Sequence, residues 1–173
     1  MKNKSRQIVK SGTEIKRRII LSVIIIVAIL AIAGVIIYSM LIKYEPPKFE
    51  PFASAGTPTP EESFLYDEVT SGFGYKFSIA SNLYQQEDRS LKIYLTNPSD
   101  NDVNIMCEIR SADEDKLLYE SGLLHPGEYI ESLDPAGEFD NIKYDVNVLI
   151  HAFEPETYHS AGTTTLDLVL QPW

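Results

Sequence analysis

Two hydrophobic patterns divide the chain. From Ile19 to Ile42 no residue is charged, and most are Ile, Val, Leu or Ala. As an α-helix that run would rise about 36 Å, enough to cross a hydrocarbon core of about 30 Å with some tilt. From Ser63 onward the period changes to two. Leu91, Ile93 and Leu95 alternate with Lys92 and Tyr94, while Val103, Ile105, Cys107 and Ile109 alternate with Asn104, Met106 and Glu108. Tyr144, Val146, Val148, Ile150 and Ala152 make a third row, and Leu166, Leu168 and Leu170 a fourth. Alternation of this kind marks half-buried strands. Weaker runs at Tyr75 to Ile79, Leu117 to Ser121 and Tyr129 to Leu133 bring the total to about seven strands in about 100 residues.

Turn chemistry separates the rows: Asn97-Pro98-Ser99-Asp100, Ala112 to Asp115, Pro126-Gly127, Asp134 to Gly137, and the segment from Pro155 to Gly162. Strand number and spacing predict an all-β, immunoglobulin-like β-sandwich over residues 63–173, preceded by one transmembrane α-helix over 19–42. Between them, residues 43–62 hold Pro46, Pro47, Pro51, Pro58 and Pro60. Proline this dense disfavours helix and central strand, so the segment reads as an extended linker. Residues 1–18 form a short basic tail.

Charge orients this layout. The 173-residue chain has a formal net charge of −10, but residues 1–18 carry seven Lys and Arg against the single acid Glu14. By the positive-inside rule the amino terminus stays in the cytoplasm and the carboxyl terminus lies outside. Tyr38 and Tyr44 suit the aromatic belt at the outer interface. A cleaved signal peptide fits less well, because its apolar region is shorter, about 7–15 residues. The expected partner of Ile19 to Ile42 is therefore the lipid bilayer. The remainder of the chain is acidic, which gives it no electrostatic reason to bind nucleic acid.

The chemical inventory is thin. Cys107 is the only cysteine, so no disulfide framework exists, and its phase with Ile105 and Ile109 turns it into the core. His125, His151 and His159 have no metal-ligand spacing with one another. Ser121-Gly122 lacks the preceding glycine of a nucleophile elbow, and Gly72-Phe73-Gly74 lacks the third glycine of a phosphate cradle. No enzyme activity and no cofactor are expected. A Ca²⁺ site, needing six to eight oxygens, would have to combine Asp100 and Asp102 with Glu154 or Glu156. Solvated acidic turns are the simpler reading of those residues.

The stretch from Tyr94 to Leu133 carries Leu95, Asn97, Pro98, Asn101, Leu118, Tyr119, Ser121, Pro126 and Gly127 in the order strand, Asn-Pro, polar turn, strand, Leu-Tyr-x-Ser and Pro-Gly. In this it resembles small membrane-anchored surface proteins of Gram-positive bacteria. That resemblance implies a bacterial cell envelope and an immunoglobulin-like outer domain, and it brings no catalytic residues. The expectation is a binding or accessory module acting by surface contacts on an unknown protein or cell-wall partner. A structural spacer, or a non-catalytic subunit of a membrane complex, is the alternative. In immunoglobulin order the loops at 100–102, 125–127 and 155–162 gather at one end. Asp100, Asp102, His125, Tyr158 and His159 are thus the candidate contact surface, with Asp113 to Asp115 at the opposite end.

Overall fold

The computed structural model describes Arg18, residues 20–34 and residues 46–173. The chain divides into two units, Met1–Glu45 and Pro46–Trp173. In the first, residues 20–34 are helical, and large apolar side chains from Ile20 to Ile32 are each more than half exposed. Among the described residues no helix is long and apolar enough to cross a membrane. The span expected over 19–42 runs past this helix at both ends, outside the described residues, as does almost all of the basic tail.

The second unit is mostly strand. Ten strands occur in order: β1 (Ser54–Ala55), β2 (Tyr66–Thr70), β3 (Lys76–Ala80), β4 (Leu83–Gln85), β5 (Leu91–Asn97), β6 (Asn104–Ser111), β7 (Leu117–Glu120), β8 (Glu128–Leu133), β9 (Tyr144–Phe153) and β10 (Ser160–Gln171). Their pairing makes one open sheet in the order β1-β8-β5-β4-β10-β9-β6-β7, with β3 branching from β5 and β2 paired to β3. All ladders are antiparallel except β4 with β10, which meet in parallel at Leu83 with Leu170 and Tyr84 with Gln171. Two separate sheets were expected; here the short β4 bonds to both β5 and β10 and joins the two arms.

The sheet curls until its arms face one another. Leu91, Ile93 and Leu95 of β5 share a core with Ile105, Cys107 and Ile109 of β6 and with Val146, Val148 and Ile150 of β9, although β5 pairs with neither of those strands. The alternating rows thus supply the inner faces, and Cys107 lies fully buried among them as a free thiol. Burying side chains of this size contributes about 1.5–3 kcal/mol each, which is what closes the curl without a cross-link. The Tyr75 hydroxyl, 2.9 Å from both the Ile150 carbonyl and Thr164 Oγ1, pins the entry of β3 across to β9 and β10.

Three departures from simple alternation are informative. Tyr94, placed on the polar side of its row, is buried beneath Phe64, whose ring centre lies 5.2 Å away. It sits at φ 51° where the β5–β8 register shifts, so a bulge re-aims it. Met106 and Asn104 are buried as well, because Leu123 and Phe153 cover that face of β6. Finally, residues 48–56, expected in a free linker, are built into the domain. Leu123 N–H donates to the Lys48 carbonyl at 2.8 Å and Glu50 N–H to the Leu123 carbonyl at 2.9 Å. Further on, Ser54 and Ala55 pair with Tyr129 and Glu128 as β1. This segment straps the edge next to β7 to the edge of β8, using backbone groups that prolines at 46, 47 and 51 leave free.

Candidate functional site

The candidate loops meet where β6 begins, β9 ends and β10 begins. Asn97, fully buried, clamps this end: its Nδ2 donates to the Val103 and Leu124 carbonyls, each at 2.9 Å, and its Oδ1 accepts from Asn101 Nδ2 at 2.6 Å. Asn101 in turn bonds both backbone groups of Lys76. Gly127, at φ 84°, closes the 125–127 turn and donates its N–H to the Asn97 carbonyl at 2.8 Å. The Asn-Pro and Pro-Gly elements are thus structural. Ser121 also spends its hydroxyl inside the fold, accepting from Cys107 N–H at 2.8 Å and donating to the Gly122 carbonyl at 2.9 Å.

Around this clamp the structure sorts the five expected residues into different settings. His125 and Tyr158 come together, joined by Phe49 of the strap. The Phe49 ring stacks on His125 with centres 4.0 Å apart and meets Tyr158 edge-on at 6.4 Å. Tyr158 packs against the cluster of Met106, Leu123 and Phe153 while held at φ 55°. Its N–H donates to the Glu154 carbonyl, and Glu154 N–H donates to the His159 carbonyl, both at 2.9 Å. That left-handed backbone costs about 1–3 kcal/mol, which the covered ring offsets. The aromatic surface at this end is therefore partly occupied by the chain's own entry into the domain.

Asp100 turns to β3 instead. Its carboxylate lies 2.9 Å from Lys76 Nζ, which also approaches Glu68 at 3.9 Å. Hydrogen bonding and attraction to Lys76 hold the Asp100 carboxyl below its ordinary value and push the lysine up. Asp102 and His159 are not buried, and neither forms an ion pair among the described residues. Glu154, one of the carboxylates a Ca²⁺ site would need, accepts from Thr157 Oγ1 at 2.6 Å. Among the described residues no group of three His, Cys, Asp or Glu side chains is placed to hold a metal ion.

Two further features escaped the strand pattern. On the outer face of β6 and β9, Glu108 holds Arg110 Nε at 2.8 Å and stands 3.7 Å from His151 Nε2. The other ring nitrogen of His151 is 3.0 Å from Thr163 Oγ1. Burial holds the imidazole below its ordinary value, outweighing the attraction of Glu108. At the opposite end an open depression of about 900 Å³ is lined by Asp113, Glu114, Glu138, Asp140 and Asp145 together with Arg89, Lys116 and Lys143. Arg89 lies over the Phe139 ring at 5.4 Å and donates to its carbonyl at 2.7 Å, and Lys116 donates to the Glu138 carbonyl at 2.8 Å. Both signs of charge mix there, and two of the three cations are spent on loop carbonyls.

Compared with models of protein families, with curated proteins and with solved structures, the chain matches none.

Proposed function

We propose that this chain is a single-pass membrane protein whose outer domain is a binding or accessory module of the bacterial cell envelope, working through surface contacts. The observation that carries the reading is the uncharged apolar run from Ile19 to Ile42 behind a strongly basic tail. Its described part is a helix with apolar side chains exposed on every face, a pattern suited to a lipid surround. The carboxyl-terminal unit is a rigid β domain whose most elaborate polar groups, Asn97, Asn101 and Ser121, are spent on holding loops in place.

In the finer fold reading, the domain is an immunoglobulin-like sandwich. Supporting it, β5 pairs with β8 and β3, β6 with β9 and β7, and β9 with β10. Those are the B–E, A–B, C–F, C–C′ and F–G neighbours of that fold. On this reading β4 is the continuation of the first strand after it crosses to the other sheet, which explains its parallel pairing with β10.

The test starts from cells expressing the full chain. It should sediment with membranes, resist alkaline carbonate and dissolve only in detergent. A chain that stays in the soluble fraction overturns the anchor. Proteins that co-purify in detergent are then compared between the native chain and a variant with the outer surface altered at two exposed residues, Asp102→Ala and His159→Ala. Loss of partners in the variant supports a contact module at that end; full retention removes that end as the contact surface.

A further inference from the structure

We infer that the open edge of β8, from Ile130 to Leu133, is a docking groove for an extended, lysine- or arginine-bearing segment of a partner protein, which adds to the sheet as one more strand. The inference rests on the reading of the domain as a binding module and names the surface and the partner chemistry. On its outer side β8 pairs with β1 only at Glu128 and Tyr129. Among the described residues no strand pairs with the outer side of Ile130–Leu133. A groove of about 550 Å³ runs beside this stretch, between the strap and the β7 side. Ile130 and Leu133 lie along it but turn into the core, each only 3% exposed, so the accessible lining is mostly polar.

Charge selects the occupant. Glu50, Glu120, Glu131 and Asp134 line the groove, and no Lys, Arg or His does. Glu50 is spent on the strap, accepting from the N–H groups of Gly122 and Phe52. Glu131 is 3.5 Å from Lys92. Glu120 and Asp134 have no ion-pair partner among the described residues. Edge strands in natural proteins are blunted by charged side chains, lysine above all, by proline or by a covering segment. This edge has an unpaired side beside an acidic rim, complementary to an extended segment that carries basic residues. A second copy of the chain would bring the same carboxylates, and like charges across a strand pair are destabilising. The depression at the far end differs, since two lysines and an arginine stand among its acids.

The experiment uses the intact chain in detergent micelles and an alternating lysine–valine decapeptide as probe, read by fluorescence anisotropy and by amide hydrogen exchange. Saturable binding is expected, with slowed exchange confined to amides of residues 130–133. Reversing the rim charges, Glu120→Lys with Asp134→Lys, should weaken binding at least tenfold. Asp113→Lys with Glu114→Lys at the far end should leave it unchanged. Circular dichroism identical to that of the native chain keeps the comparison valid. Equal weakening by both pairs shows only general attraction to an acidic domain and overturns the proposal. So does unchanged exchange at 130–133, an absence of saturable binding, or self-association through this edge by sedimentation. Failure here, with co-purifying proteins still retained by the full chain, removes the edge and leaves the module reading standing.

Discussion

Replacing Gly122 with alanine tests the strap that ties residues 48–56 to the domain. A Cβ at this position would lie 2.5 Å from the Glu50 nitrogen, 2.6 Å from its Cα and 2.8 Å from the Phe49 carbonyl carbon. All three are backbone atoms, so no rotamer change relieves the clash and the strap itself must move. Three hydrogen bonds go with it: Leu123 N–H to Lys48, Glu50 N–H to Leu123, and Gly122 N–H to the Glu50 carboxylate at 2.8 Å. Two neutral bonds at about 1 kcal/mol and one to a charge at about 2 kcal/mol set a ceiling of about 4 kcal/mol. Local release of about one residue returns about 1–2 kcal/mol of backbone entropy, so the net loss should be about 2–3 kcal/mol. Urea denaturation reads the loss as a lower midpoint, and amide exchange reads its location. The Leu123 amide should exchange much faster while amides in β6 and β9 keep their order of protection. Glu50→Ala removes part of the same contact, so adding it to Gly122→Ala should cost almost nothing more. Native protection of the Leu123 amide in the alanine variant, or additive losses in the double variant, would refute this account of the strap.

Other outcomes are expected from the core and its titrating groups. Burial pushes the Tyr119 phenol up to about 12. Its folded value lies above the unfolded one, so its stabilisation is complete below about pH 10 and is lost as pH rises toward 12. Burial raises the Tyr75 phenol too, so ultraviolet titration should show more than one late-ionising tyrosine, and Tyr119→Phe should remove one of them. Burial raises the Cys107 thiol as well and keeps it from reagents. It should resist alkylation until the chain unfolds, and Cys107→Ser should cost about 1–3 kcal/mol by burying a hydroxyl. His151 has a depressed folded value. The unfolded chain therefore takes up the proton first, and stability should fall as pH drops below about 6.5, an effect that His151→Gln removes. Rapid labelling of native Cys107, or a His151 proton titration in NMR at or above its ordinary midpoint, would contradict these assignments.

How much of this was legible beforehand depended on what kind of force held each element. Rows that bury one face announced themselves: Ile105, Cys107 and Ile109, or Val146, Val148 and Ile150, are inward as their phase requires. β2 and β4 gave little signal, since Tyr66-Asp67-Glu68-Val69-Thr70 is largely polar and Leu83-Tyr84-Gln85 is too short to show a period. The strap gave none, because its bonds run through backbone groups that side-chain patterns do not report. For that reason Phe49 was missed, and with it the contact that unites His125 and Tyr158. The meeting of the 97–101 and 125–127 turns followed from strand order alone, through the backbone bond from Gly127 to Asn97. That Asp100 would turn away to Lys76 could not be read, since the pair joins residues on separate strands and loops. Four of the nine residues behind the resemblance to Gram-positive surface proteins, Asn97, Asn101, Ser121 and Gly127, proved to hold turns and strands together.

The central claim, an anchored domain displayed outside the cytoplasm, is tested most directly by protease added to intact cells expressing the chain with a tag at each end. The account predicts that the carboxyl-terminal tag is lost while a short amino-terminal fragment ending beyond Lys43 survives in the membrane. Protection of the carboxyl-terminal tag, with cleavage appearing only after the cells are broken, would contradict it.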